Sequence, residues 1–225
     1  MRVGALVVAL AAGVALGCGE DDSATDPARD RSLIEAASLG ELDDVERLLD
    51  DGARVDAVDA TGRTALIAAA YGNHVEVAEV LVEAGADVNV QDETQQSAFL
   101  IATSEVGDDL RLLELGLANG ADVDATDSYN GTGLIRAADR GYVRIVRRLL
   151  ETEMNLDHVN RLGWTALLEA VILGGGDPAH RQVVRLLVAG GADVAISDGQ
   201  GVTALEHARE RGQTAIVAIL ESARR

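Results

Sequence analysis

Residues 61–92, TGRTALIAAAYGNHVEVAEVLVEAGADVNVQD, contain one complete unit of a pattern that returns along the chain. Its opening Thr-Ala-Leu triplet at residues 64–66 returns in similar form at residues 97–99, 132–134, 165–167 and 203–205, at spacings of 33, 35, 33 and 38 residues. Its ending, Gly-Ala-Asp at residues 85–87, recurs at residues 120–122 and 191–193. A period near 33 residues predicts a stack of similar units rather than one wrapped core.

The composition favours a stack of thin layers and excludes several classes of function. The chain has 225 residues, of which 48% are hydrophobic but only 2% aromatic, so small aliphatic side chains must fill its core. The formal net charge of −19 argues against nonspecific binding to nucleic acid. All 19 basic residues are arginines, so the chain has neither a P-loop lysine nor a Schiff-base lysine.

The first 17 residues have the features of a signal peptide. Arg2 supplies a positive charge, and residues 3–16 form an apolar run that is too short to span a bilayer comfortably. The run ends just before Cys18, the only cysteine in the chain. This arrangement resembles the lipobox of bacterial lipoproteins, which implies cleavage before Cys18 and lipidation of its sulfur. An ordinary cleaved signal peptide with an incidental cysteine is the alternative.

Residues 18–29 are predicted to form the lipidated start of the mature chain and a flexible acidic tether. The stretch from Glu20 to Arg29 is acidic and polar, so it can bury little apolar area. The lipoprotein resemblance implies secretion across the inner membrane and a lipid anchor on the periplasmic side of the cell envelope. Gly19 stands where an aspartate would suggest inner-membrane retention in that family, which favours the outer membrane.

The repeats are predicted to occupy residues 30–225 as about six units of two helices each. In the first unit, these helices are predicted near Ser32–Ser38 and Leu42–Asp50. A threonine or serine begins the first helix of each later unit, where its hydroxyl can cap a free backbone N–H. Glycines, and Asn73 in unit two, are expected to end these helices in a left-handed conformation. The predicted units are 30–59, 60–92, 93–127, 128–160, 161–198 and 199–225.

Two insertions interrupt the period, one near Val106 in unit three and one at residues 174–178 in unit five. The second insertion, GGGDP, is predicted to form a flexible loop because it begins with three glycines. Insertions in repeat arrays map to loops that often lie on the binding side. Neutral drift at an exposed turn is the alternative interpretation.

The units resemble ankyrin repeats. Unit two carries the family's residues at Gly62, Thr64 and Leu66, in the alanine pair 69–70 and in the Gly-Ala-Asp-Val-Asn run at 85–89. The resemblance covers about residues 30–225. It implies an all-α solenoid of stacked helix-turn-helix ankyrin repeats with short β-hairpin finger loops. The family's Pro and His after the threonine are missing in every unit, so we expect a stack less rigid than a consensus array.

No arrangement of residues typical of catalysis or metal binding is recognisable. The four histidines are not spaced as metal ligands, and His74 stands where the family has a structural histidine. The sequence shows no Ser/His/Asp set, no phosphate-binding loop and no calcium loop with its distal glutamate. We therefore expect no enzyme activity, no cofactor and no metal site.

The ankyrin resemblance implies that a partner docks on the concave face, built from the finger tips and the exposed ends of the first helices. Trp, Tyr and Arg are the residue types that most often dominate binding energy, and the single Trp falls in unit five. Trp164 is predicted to stand at a docking tip, and packing beneath the neighbouring finger is the alternative. The candidate partner-binding residues are Arg63, Tyr71, Tyr129, Arg140, Arg161, Leu162, Trp164 and Leu173.

Unit four of this acidic chain also carries a cluster of arginines. One interpretation is a solvated helix face paired with Glu151 and Glu153. The other is a contact for an acidic partner or for lipid headgroups. The five arginines are Arg136, Arg140, Arg144, Arg147 and Arg148.

Taken together, these features predict a monomeric, non-enzymatic scaffold that binds an unidentified protein partner through units four and five. Nucleic acid is not expected as a partner, and the membrane is expected to be contacted only through the N-terminal lipid. A structural envelope lipoprotein without a dedicated partner is the rival interpretation, and an unrecognised enzyme is a third. Repeat scaffolds serve unrelated tasks on one fold, so the resemblance does not name the partner.

Overall fold

The computed structural model describes residues 26–223, which form twelve α-helices. The predicted signal peptide, Cys18 and most of the predicted tether lie outside the described residues. No helix within residues 26–223 is long and apolar enough to cross a membrane. In chain order the helices are α1 (Pro27–Leu39), α2 (Leu42–Asp50), α3 (Ala65–Tyr71), α4 (Val75–Glu83), α5 (Ala98–Ser104), α6 (Arg111–Ala118), α7 (Gly133–Arg140), α8 (Val143–Leu149), α9 (Ala166–Ile172), α10 (Pro178–Ala189), α11 (Ala204–Glu210) and α12 (Thr214–Ala223).

Each unit contributes two consecutive helices, and like helices of neighbouring units pack on one another. The first helices form one layer, in which α1 packs on α3 and the series continues through α5, α7 and α9 to α11. In the second layer α4 packs between α2 and α6, and α10 packs between α8 and α12. Ala37, Ala69 and Ala138 are fully buried between the helices, and their small side chains allow close approach. The predicted all-α solenoid of stacked helix pairs is confirmed.

The fingers that connect the units are turns rather than paired strands. Within residues 26–223, β-type pairing is limited to two isolated bridges, which join Thr126 to Thr132 and Ser197 to Thr203. The predicted β-hairpins are therefore shorter than expected. The physical reason is that each turn is closed by one side chain and two backbone hydrogen bonds, and the next helix begins two residues later, which leaves no length for a ladder.

The hydroxyl caps predicted from the sequence are present. Thr64 accepts a hydrogen bond from the backbone N–H of Ile67 at 3.2 Å. Equivalent bonds begin α5, α7, α9 and α11. Gly40 after α1 has φ 74°, and Asn73 after α3 has φ 53°, so the left-handed conformations predicted at these two positions are confirmed.

The first helix begins earlier than the sequence analysis predicted. α1 starts at Pro27 rather than near Ser32, and the side chain of Asp26 caps it. Residues 27–29, which were expected in the tether, therefore belong to a helix. Asp30 in the first turn of α1 is buried, and its carboxylate accepts hydrogen bonds from the side chain and backbone N–H of Arg54 at 2.7 to 2.9 Å.

Only the first part of the insertion at residues 174–178 is a loop. Its last two residues, Asp177 and Pro178, begin α10, and Asp177 accepts hydrogen bonds from the backbone N–H groups of Ala179 and His180. An aspartate at the N-cap satisfies free helix amides, and proline suits the position that follows because its φ is already helical. The insertion thus lengthens a helix instead of forming only a loop.

Candidate functional site

The same pattern of hydrogen bonds, from two backbone N–H groups to one Asp or Asn side chain, closes each of the five finger turns. Each finger turn begins at the last residue of one predicted unit, and we assign the whole turn to the unit that follows it. In the turn of unit four, Asp127 accepts hydrogen bonds from the backbone N–H groups of Tyr129 at 2.8 Å and Gly131 at 2.9 Å, two and four residues later. A short polar side chain that binds its own backbone in this way stabilises a turn. The finger tips are therefore presented by rigid turns. The residues in this position are Asp59, Asp92, Asp127, Asn160 and Asp198.

In units four to six, the turn residue also binds a polar side chain of the helix below it, nine residues later. Asp127 accepts a hydrogen bond from Arg136 at 2.6 Å, and the carboxylate of Asp198 lies 2.7 Å from Nε2 of His207. In unit five the polarity is reversed, because Asn160 donates from Nδ2 to Oε1 of Glu169 at 2.7 Å. Units two and three have Ala68 and Ile101 in the position of the helix residue, so they lack such a pair.

An open groove lies between units four and five, with a cavity of about 260 Å³. Three large apolar side chains on its walls are exposed, namely Tyr129 at 65%, Leu162 at 55% and Leu173 at 53%. Asp139 and Arg140 border it from the end of α7. We call this surface the unit 4–5 groove. Its full lining is Asp127, Tyr129, Gly131, Ile135, Arg136, Asp139, Arg140, Asn160, Leu162, Glu169 and Leu173.

Glu169 is one of two buried acidic residues that line the unit 4–5 groove, the other being Asp127. Only 5% of this residue is exposed, and among the described residues its second oxygen, Oε2, has no hydrogen-bond partner. Burial raises the pKa of Glu169 from 4.5 to about 7, and the negative charges of Asp139 and Asp127 act in the same direction. The hydrogen bond from Asn160 opposes this rise in pKa.

Four of the predicted partner-binding residues are brought together by the unit 4–5 groove. Tyr129, Arg140, Leu162 and Leu173 all line it. The structure therefore places half of the eight candidates around one groove. The other four candidates lie elsewhere or have their polar groups occupied.

Trp164 does not project freely from the finger tip. It is half-buried and packs against the hydrophobic core, as in the packing alternative. Arg161 ties finger five to finger four, because its backbone N–H binds the carbonyl oxygen of Tyr129 at 2.9 Å and its guanidinium donates to the carbonyl oxygen of Ser128. Neither residue is among those that line the groove.

Arg63 and Tyr71 form a separate pair in unit two. The guanidinium carbon of Arg63 lies 4.9 Å from the centre of the Tyr71 ring, within the range of a cation–π contact. Arg63 also borders a cavity of about 540 Å³ between α1 and the second finger, which Asp30 and Arg54 line as well. These two candidates therefore belong to a different part of the surface from the unit 4–5 groove.

The arginine cluster of unit four is largely paired with carboxylates. Arg136 contacts Asp127 and Glu105 at 2.6 and 2.9 Å, and Arg148 contacts Glu114 at 2.8 Å. Acidic residues of the preceding unit thus neutralise much of the cluster, together with Glu151 beside Arg148. Of the two partners predicted for a solvated face, Glu151 forms an ion pair with the cluster, whereas Glu153 forms none within residues 26–223.

The histidines make structural contacts between neighbouring turns. The ring of His74 lies beside Gly40 and its Nε2 is 3.2 Å from the carbonyl oxygen of Ser38. His180 repeats this contact with the carbonyl oxygen of Asp139 at 2.8 Å. Within residues 26–223, no group of three or more His, Cys, Asp or Glu side chains is arranged to hold a metal ion.

Comparison with known proteins identifies the repeat. The family described as ankyrin repeats (3 copies) matches residues 6–92 and 99–198. The chain belongs to the ankyrin repeat family. YahD of Escherichia coli (strain K12), which is named as an ankyrin repeat protein, is 38% identical over 189 residues, which cover 84% of this chain and 93% of YahD.

Two solved ankyrin repeat structures share both sequence and fold with the chain. An ankyrin repeat domain from Acinetobacter baumannii AYE is 43% identical, with a TM-score of 0.82, over 85% of this chain and 97% of that domain. The ankyrin repeat protein EF0377 is 36% identical, with a TM-score of 0.79, over 85% of this chain and 97% of that chain. Ankyrin repeats generally mediate protein–protein interactions, and the fold is typically a non-enzymatic scaffold.

Sequence reasoning missed Glu169 and Asn160 as members of the site. A usable signal was present, because a polar residue nine positions after the turn residue recurs in three consecutive ankyrin repeats. The pairs are Asp127 with Arg136, Asn160 with Glu169, and Asp198 with His207.

Proposed function

We propose that this ankyrin repeat chain is a non-enzymatic, monomeric binding module that docks a protein partner on the unit 4–5 groove. The observation that carries the proposal is the grouping of Tyr129, Leu162 and Leu173, three large apolar side chains that are each more than half exposed around one groove. A partner that covers them removes apolar area from water, which is worth about 25 cal/mol per Å². The general role of the family in protein–protein interaction supports this assignment.

The experiment is affinity capture from a cell-envelope extract with two matched double variants. Tyr129→Ala with Leu162→Ala removes groove side chains. Val58→Ala with Leu39→Ala removes two large apolar side chains from exposed positions outside the groove, where Leu39 is 59% and Val58 55% exposed. We expect the groove variant to lose a specific partner that the parent protein and the control variant retain. Equal retention by all three proteins would reject the groove, and no specific capture by any would favour a structural role.

We further propose that the module is secreted and held in the cell envelope by a lipid on Cys18, on the periplasmic side and with the outer membrane as its destination. The support is the sequence alone, in which an apolar run of 14 residues (3–16) ends two residues before this single cysteine. Detergent-phase partitioning of the expressed full chain tests it. The parent protein should enter the detergent phase, whereas Cys18→Ser should stay in the aqueous phase, and identical partitioning would contradict lipidation.

A further inference from the structure

Glu169 is buried, and only one of its two carboxylate oxygens accepts a hydrogen bond from the rest of the protein. Of the side-chain atoms buried without a hydrogen-bond partner among the described residues, only Oε2 of Glu169 belongs to a carboxylate. A buried carboxylate oxygen without a donor is unfavourable, because the folded chain does not replace the hydrogen bonds that water gave it. Glu169 lines the unit 4–5 groove, so a ligand group that enters the groove could supply the missing hydrogen-bond donor to Oε2.

The arrangement in unit five is not the usual one for this chain. In units four and six the turn residue is an aspartate and the helix residue is a potential cation, Arg136 or His207, so each pair satisfies itself. In unit five Asn160 offers Glu169 one amide donor, at Oε1. The oxygens of Asn160 and Asp127 cannot help Oε2, because both are acceptors that already bind backbone N–H groups of their own turns.

The charges that line the groove favour a cation over an anion. Arg136 is occupied by Asp127 and Glu105, at 2.6 and 2.9 Å. Arg140 lies 3.9 Å from Glu105. The carboxylate of Asp139, by contrast, makes no hydrogen bond or ion pair within residues 26–223, and Oε2 of Glu169 has no donor. Arg136 is thus fully paired and Arg140 lies at the limit of an ion pair, whereas Asp139 and Oε2 of Glu169 can still accept hydrogen bonds.

The size and walls of the groove suit one long side chain. Its cavity of about 260 Å³ is smaller than the roughly 300–1,000 Å³ of sites that enclose small molecules. Leu162 and Leu173 offer apolar surface for a methylene stem, and Tyr129 offers a ring face on which a planar cation can stack.

We propose that the unit 4–5 groove receives an arginine side chain of the partner protein, whose guanidinium donates hydrogen bonds to Glu169 and Asp139. Arginine fits better than lysine because its rigid fork presents several donors at once to carboxylates and stacks on aromatic rings. This inference rests on the proposed function, since it names the chemistry of the residue that the partner inserts. An acidic protein of net charge −19 also attracts a basic partner at long range.

The test uses two capped tripeptides, acetyl-Gly-Arg-Gly-amide and its citrulline counterpart, which has nearly the same shape without the charge. Both are titrated into the purified protein while backbone amide resonances are followed by NMR. The arginine peptide should shift the resonances of Tyr129, Leu162 and Leu173, and the citrulline peptide should bind roughly tenfold more weakly or not at all. Equal binding of the two peptides, or no binding of either, would overturn the proposal.

Two variants that each remove one carboxylate test where the arginine side chain binds. Glu169→Gln keeps the shape of the side chain and its capacity to accept from Asn160, and it should weaken the arginine peptide by roughly tenfold. Glu210→Gln, which removes an exposed carboxylate of α11 that does not line the groove, should leave affinity unchanged. An unchanged affinity in Glu169→Gln would reject this inference. If partner capture still depended on Tyr129 and Leu162, the proposed function would stand without it.

Discussion

Units four and five differ in which side chain donates the hydrogen bond between the turn and the helix. In unit four the helix residue donates to the turn residue, and in unit five the turn residue donates to the helix residue. In unit four, Asp127 binds two backbone N–H groups and the guanidinium of Arg136, and its side chain is only 3% exposed. In unit five, the turn residue is Asn160, the helix residue is Glu169, and one buried oxygen has no donor. The first pair completes the fold, whereas the second leaves binding capacity in the groove. One position of an ankyrin repeat can therefore stabilise one unit and, as we propose, recognise a partner in the next.

The largest effect is expected from breaking the pair in unit four. Arg136→Ala leaves the buried carboxylate of Asp127 without its cation, and removing one partner of a buried ion pair costs about 3–5 kcal/mol. Asp127 keeps its two backbone donors, so we expect a loss of about 3 kcal/mol in the free energy of unfolding, measured with urea. Arg147→Ala, an exposed position on α8, is the matched control and should change stability by less than about 0.5 kcal/mol. Equal effects of the two substitutions would show that the unit four pair is not structural.

A smaller effect of opposite sign is expected in unit five. The pKa of Glu169 is 4.5 when the chain is unfolded and about 7 when it is folded, so the folded state holds this proton more tightly. The contribution of Glu169 to the free energy of unfolding is therefore fully present below pH 4.5. It falls as the pH rises from 4.5 to 7 and stays reduced above pH 7. Glu169→Gln removes this titration, so it should stabilise the protein at pH 8 by about 2 kcal/mol and have little effect at pH 4.

Urea unfolding at the two pH values checks this expectation. The other charged groups near the groove are the same in both proteins, so the difference between parent and variant isolates Glu169. Those that line the groove are Asp127, Arg136, Asp139 and Arg140. Two histidines on the following helices are hydrogen-bonded to aspartates, His180 of α10 to Asp177 and His207 of α11 to Asp198. A gain that is the same at pH 4 and pH 8 would mean that ionisation of Glu169 is not its cause.

Much of the fold could be predicted from the sequence, because its signals are local and repeated. Thr64 and its equivalents predicted the helix starts, and Asn73 predicted a left-handed turn, since each acts on backbone within a few residues. The starts of α1 and α10 were missed although both carry the same signal. The only two prolines of the chain, Pro27 and Pro178, each follow an aspartate that caps a helix. Their acidic or glycine-rich surroundings suggested a tether and a loop instead.

The candidate site could be predicted only in part. Exposed residues such as Tyr129 and Leu162 were identified because the repeat phase places them at finger tips. Glu169 was not, because a separation of nine residues between turn and helix matches neither a helical nor a strand period. The environment of Trp164 could not be predicted from the sequence for a different reason. A large side chain at a finger can either face a partner or fill a gap beneath the next turn, and only the packing of the neighbouring unit decides which.

The smallest effect is expected from converting unit five into a copy of unit four. Glu169→Arg alone places a guanidinium beside Asn160, whose neutral oxygen is a weaker partner than a carboxylate. Adding Asn160→Asp recreates the Asp–Arg pair of Asp127 and Arg136, while its oxygen still accepts the backbone N–H groups of Leu162 and Trp164. We expect the second substitution to recover about 1 kcal/mol of stability in the Glu169→Arg background and to lower stability in the parent, where it would face Glu169. A double-mutant cycle by urea unfolding measures this coupling. Additive effects would mean that the two positions do not communicate, and that reversed polarity alone does not explain how unit five differs from unit four.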